Sequence, residues 1–111
     1  MRHPEVLRPT DLAAYRPDKM GKSTIFASSR LLVGINAFEP GQAHELHAHH
    51  GMDKIYYVLE GEGVFLLAEA ELTMRAGDLL IAPDGVPHGV RNTGAVRLAV
   101  LAVLAPGEHP R

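Results

Sequence analysis

The chain has 111 residues, 13 of them acidic and 11 basic, for a formal net charge of −2 with the histidines neutral. That length supports one domain and no second core, and the near-neutral balance argues against nucleic-acid binding, for which no basic face is expected. There is no cysteine, which excludes disulfides, thiolate metal sites and cysteine nucleophiles.

Residues 1–22 read as an irregular N-terminal arm. Pro4, Pro9 and Pro17 interrupt any longer element, and one helical turn is expected near Asp11–Tyr15, capped by Thr10 or Asp11. From Ser23 the pattern changes to short apolar or alternating runs punctuated by glycine and proline. Strands are predicted at Ser23–Ala27, Arg30–Phe38, Ala43–His49, Lys54–Glu60, Gly63–Ala68, Glu71–Arg75, Asp78–Ala82, His88–Asn92 and Leu98–Leu104. The Ala-rich run Leu66–Leu72 allows a helical turn as an alternative. Turns are expected at Glu39-Pro40-Gly41, Gly61-Glu62-Gly63, Ala76-Gly77 and Pro83-Asp84-Gly85, all built from residues that tolerate tight backbone. Many short strands at regular spacing indicate an all-β sandwich or barrel over residues 23–105, with a loose C-terminal tail at 106–111. No apolar run is long enough to span a bilayer, and the N-terminus lacks a basic-then-apolar layout, so no membrane partner and a soluble, cytoplasmic protein are expected.

Histidine is the unusual residue: there are seven, and four fall between His44 and His50. Residues two apart on a strand share a face, so His47 and His49 project together, as two ligands of one metal must. Neutral imidazole suits zinc, copper, iron or nickel, whereas two polar residues on a solvated face is the plainer alternative. A third histidine, His88, follows a Pro-Asp-Gly turn and Pro87, a stiff approach that would present it to a neighbouring strand. His44 has the opposite parity and is assigned to the other face, or at most to a pocket rim. Glu45 shares the parity of His47 and would line the pocket mouth or orient a ligand. His50 should point away, and His3 and His109 sit in the chain ends.

These segments resemble the two signature motifs of the cupin superfamily. The first motif, G-x5-H-x-H-x(3,4)-E-x6-G, is matched by Gly41, His47, His49 and Gly61. The second, G-x5-P-x-G-x2-H-x3-N, is matched at every position by Gly77, Pro83, Gly85, His88 and Asn92. The resemblance implies a jelly-roll β-barrel (a double-stranded β-helix). It also implies one divalent transition metal, iron, zinc, nickel or manganese, held by His47, His49 and His88 and by a glutamate.

That glutamate is missing. Counting from the flanking motif residues puts its place at Asp53 or Lys54. Three readings stay open: Asp53 turns inward as a carboxylate ligand across a small bulge; Lys54 points inward and the metal has three histidines and water; or the Lys54 charge replaces the metal. Tyr56 shares the parity of Lys54, and the two are the candidate catalytic or pocket-lining residues. Arg91 and Asn92 are read as an exposed side chain and a backbone-fixing amide. Two functions follow from the resemblance. One is a metalloenzyme of the dioxygenase, isomerase or lyase class acting on a small polar or anionic substrate. The other is a non-catalytic module binding a sugar or effector. The apolar faces of Arg30–Phe38 and Leu98–Leu104 exceed the needs of one small barrel, so a homodimer is expected, with an edge strand or the arm exchanged.

Overall fold

The structure is a computed structural model and describes residues 3–107. The expected loose tail beyond Gly107, with His109, lies outside the described residues. All nine predicted strands are present: β1 Gly21–Ala27, β2 Leu32–Phe38, β3 Ala43–His47, β4 Asp53–Glu60, β5 Glu62–Leu66, β6 Glu71–Arg75, β7 Leu79–Ala82, β8 His88–Arg91 and β9 Leu98–Ala105. They form two antiparallel sheets in the orders β1-β2-β9-β4-β7 and β3-β8-β5-β6. This is the jelly roll expected for an all-β chain. Among the described residues, no helix is long and apolar enough to cross a membrane.

Three local expectations are corrected. The helical turn lies earlier, a 3-10 turn at Pro9–Leu12 that Pro9 starts, and neither Thr10 nor Asp11 caps it because both lie inside it. β2 begins at Leu32 because the Ser28 hydroxyl accepts from the amides of Arg30 and Leu31, at 3.1 and 3.2 Å, and closes a turn there. The Ala-rich segment is a hairpin, not a helical turn: Leu67 N–H donates to the Ala70 carbonyl at 2.8 Å between β5 and β6.

The alternation of β4 sets the barrel interior. Lys54, Tyr56 and Val58 are buried, and Asp53, Ile55 and Tyr57 are exposed. Tyr56 and Val58 join Phe38, Phe65, Leu98 and Val100 in one core between the sheets, each fully buried apolar side chain contributing about 1.5–3 kcal/mol. The β4–β5 turn needs glycine at Gly61, where φ is +86° and a Cβ would run into the Arg97 carbonyl. Asn92, fully buried, ties three segments together. Its amide donates to the carbonyls of Phe38 and Val96 at 3.0 and 2.9 Å, and its oxygen accepts from Gly94 N–H at 2.9 Å.

The arm is fastened to the barrel. Gln42 donates to the Arg16 carbonyl at 2.8 Å, and the Arg97 guanidinium lies 4.4 Å above the Tyr15 ring while gripping Glu39 at 3.1 and 3.2 Å. On the outer face of the first sheet, Ile55, Tyr57, Leu79 and Ile81 pair across β4 and β7 and are exposed.

Candidate functional site

The short strand β3 and strand β8 run antiparallel with His47 opposite His88. β3 ends at His47, two residues short of the sequence expectation, so strand parity does not orient His49. A loop carries it instead, and three hydrogen bonds fasten that loop and the start of β4 to the Pro83-Asp84-Gly85 turn. Gly85 N–H donates to the His49 carbonyl at 2.8 Å, Gly51 N–H to the Asp84 carboxylate at 2.6 Å, and Asp84 N–H to the Asp53 carboxylate at 2.9 Å. Gly85 takes φ +76°, which a side chain would resist. The turn itself closes through Val86 N–H to the Pro83 carbonyl at 3.0 Å.

The result is a cluster: one nitrogen each from His47, His49 and His88, all within 4.8 Å of one another. The Nδ1 of His47 lies 2.7 Å from the Glu45 carbonyl and that of His88 lies 2.9 Å from the Val86 carbonyl. A carbonyl oxygen only accepts, so each Nδ1 carries the proton and each Nε2 presents a lone pair. The Nε2 atoms of His47, His49 and His88 are buried with no hydrogen-bond partner. Burial holds all three rings below the usual histidine range, with the Lys54 charge adding to the effect and the carbonyl bonds of His47 and His88 opposing it. His49 is pushed down to about 4. Neutral, oriented imidazoles with orphaned, converging lone pairs are the donor set of a transition-metal site, and these residues fit one.

Asp53 is not part of the cluster. It faces outward at the start of β4 and serves the Asp84 amide, so of the three readings the one that turns Asp53 inward is not met. Lys54 takes the inward position, buried, with its ammonium 4.7 Å above the Tyr56 ring. Burial, then the neighbouring charge of Lys22, pushes its pKa down to about 8. Tyr56 is fully buried, its ring 5.7 Å from that of His88 and its hydroxyl without a partner. Burial raises its pKa.

His44 departs most from expectation. β3 slips register between His44 and His47, so the simple two-residue parity fails and the two rings stack, 4.1 Å apart at 28°. Its Nδ1 is buried and unpartnered, and burial pushes its pKa down to about 3. Glu45 contributes its carbonyl, while its side chain is exposed. His50 and His3 are exposed. A cavity of about 250 Å³ opens beside His49 and Lys54, walled by Leu32, Ala102 and Leu104 and with Lys22 and His44 at its side. Sequence reasoning missed Lys22 and Asp84. Asp84 sits in a turn whose composition explained it already, and Lys22 was counted with the arm.

The two-sheet barrel with its histidine cluster is that of a cupin, and the chain belongs to the cupin family: the family model for the cupin domain matches residues 34–104. The chain is 37% identical over 83 residues to the oxalate-binding protein of Thermotoga maritima, covering 75% of this chain and 63% of that one. It is 33% identical over 66 residues to an acireductone dioxygenase of Rhodopseudomonas palustris, covering 56% of this chain and 39% of the relative. The chain thus spans less than two thirds of either curated relative. Among solved structures, TT1209 of Thermus thermophilus superposes with a TM-score of 0.87 at 45% identity, over 93% of this chain and 98% of that one.

Proposed function

We propose that His47, His49 and His88 hold one divalent transition metal and that this centre, together with Lys54, binds a small anionic, chelating ligand. The observation that carries the reading is three histidines, each with a nitrogen within 4.8 Å of the others and a buried, unpartnered Nε2, beside an ammonium, not a carboxylate, at the fourth inward position. A bound metal would supply Lewis acidity toward a chelating anion or, were it iron, a site for dioxygen chemistry.

The chain's own residues do the rest. The Glu45 and Val86 carbonyls hold two rings in the ligating tautomer, and the Asp84 clamp holds the loop that carries His49. Lys54 places a positive charge in a desolvated cavity, where it attracts an anion more strongly than a surface lysine would. Tyr56 offers an unspent hydroxyl beneath His88. Leu32, Ala102 and Leu104 keep water from one wall. The relative named an oxalate-binding protein supports an anionic ligand of this kind.

Catalysis is the second reading, supported by the relative named acireductone dioxygenase and by a three-histidine set that leaves ligand positions open. The two separate in one assay. The metal-loaded protein is titrated with oxalate and followed by thermal midpoint, and the Fe(II) form is incubated aerobically with a panel of small acids and diketones. A midpoint that rises with oxalate, without consumption of any acid, supports binding alone; consumption supports the enzyme; no rise and no consumption refutes both. We also propose that a second copy covers the exposed Ile55, Tyr57, Leu79 and Ile81 face, giving a homodimer. A monomer at micromolar concentration in sedimentation would overturn that assignment.

A further inference from the structure

The cavity beside the histidines does not end at Lys22 and His44. Both residues also line a second cleft, about 410 Å³, between the N-terminal arm and the barrel, where Arg16 and Lys19 face them. Among the described residues, no aspartate or glutamate lines either space. Arg16 shares its charge with the exposed Asp18 at 3.2 Å, but Lys19, Lys22 and Lys54 belong to no ion pair among the described residues. Lys22 and Lys54 lie close enough for the first to disfavour the charge on the second. Like charges gathered around two adjoining spaces, with no acid between them, leave room for anionic groups to relieve the repulsion.

His44 stands at the junction. Its ring stacks on His47 and lies outside the group of nitrogens within 4.8 Å, so it is not aimed at the ion position, yet its Nδ1 is buried with no partner. The cavity that holds His49 and Lys54 is lined by Leu32, Ala102 and Leu104 together with Ser23, Thr24 and Asn36, and its apolar part is a surface suited to a carbon chain. The cleft is a built feature. Gln42 pins the Arg16 carbonyl at 2.8 Å, and Gly21 packs so close under the Ala14 carbonyl that no Cβ would fit.

Resting on the anion-binding reading above, we infer that the ligand is an elongated dianion, with one end at the histidine cluster beside Lys54, a carbon spacer through the cavity, and the second anionic group in the Arg16–Lys19–Lys22 cleft next to His44.

The test titrates zinc-loaded protein, by calorimetry, with α,ω-dicarboxylates from oxalate to adipate and with monocarboxylates of matching length. The dicarboxylate of best length, longer than oxalate, should bind about ten-fold tighter than its monocarboxylate counterpart, as one added charge-assisted contact predicts. In the Arg16→Gln/Lys19→Gln double variant that advantage should fall below about three-fold while monocarboxylate affinity is kept, and Lys19→Glu alone should reduce it further than Lys19→Gln. No advantage of length, or one that survives in the Arg16→Gln/Lys19→Gln double variant, overturns the inference and leaves the inner site standing. If the wild type binds neither series, the anion-binding reading falls with it.

Discussion

Lys54→Met should make the metal-free protein more stable. Lys54 is buried, and its pKa is held down from 10.5 to about 8 by burial and by Lys22. A depression of that size corresponds to about 3 kcal/mol of penalty on the ammonium at neutral pH. Methionine keeps the stem's length and packing and removes the charge, so the variant should gain a large part of that figure. For a domain of this size, such a gain raises the thermal midpoint by about 10 °C. The pH dependence gives the sign. The folded protein releases the Lys54 proton near pH 8 and the unfolded chain near 10.5, so between those values the unfolded state holds more protons and wild-type stability rises with pH. Below pH 8 the penalty is present in full. Urea unfolding in chelator, at about pH 7 and again between about pH 9 and 10, should therefore find a gap between variant and wild type that narrows on the alkaline side. A Lys54→Met protein that is no more stable than wild type at neutral pH, or a gap independent of pH, would refute the assignment of Lys54 as an unrelieved buried charge.

Asp53→Ala should leave metal affinity unchanged while lowering stability by about 1 kcal/mol, because what it removes is the acceptor of the Asp84 amide. A ten-fold loss of metal affinity in a dialysis assay would restore Asp53 as a ligand. Asn92→Ala should cost about 2–4 kcal/mol in urea unfolding, since it removes a fully buried side chain's donor from two carbonyls and the acceptor of the half-buried Gly94 amide. In acid, the metal-free protein should lose stability as pH falls from about 6.5 toward 4: His44 and His49, pushed down to about 3 and about 4, stay neutral when folded while the unfolded chain takes up protons. Replacing His44 by glutamine should flatten that slope in unfolding curves measured across the range.

Much of this was legible in the residues because glycine and proline mark the turns so clearly. All nine runs between them are strands, and every end falls within two residues of the one expected. Local hydrogen bonding accounts for several of the differences. The Ser28 hydroxyl delays β2, and the Asp84 clamp holds the segment after His47 as a loop. At the site, the two motifs named the three histidines that the fold brings together, but parity misplaced His44, because a register slip inside β3 leaves no mark in the sequence. The choice between Asp53 and Lys54 was open for a related reason. Either residue satisfied the motif spacing, and the decision came from Tyr56 and Val58, whose burial fixes the phase of β4, and from the Asp84 amide, which gives Asp53 work on the outside. The cationic cleft was invisible, since it forms only where the arm folds back over Lys22.

The metal centre is tested most directly by elemental mass spectrometry on protein purified without an affinity tag or chelator, beside a His47→Ala/His49→Ala control. We expect about one equivalent of a transition metal in the wild type and none in the control. The contrary result is a wild type without metal whose affinity for added Fe(II), Zn(II) and Ni(II) is no better than the control's. That would leave Lys54 as the resident charge of a metal-free pocket.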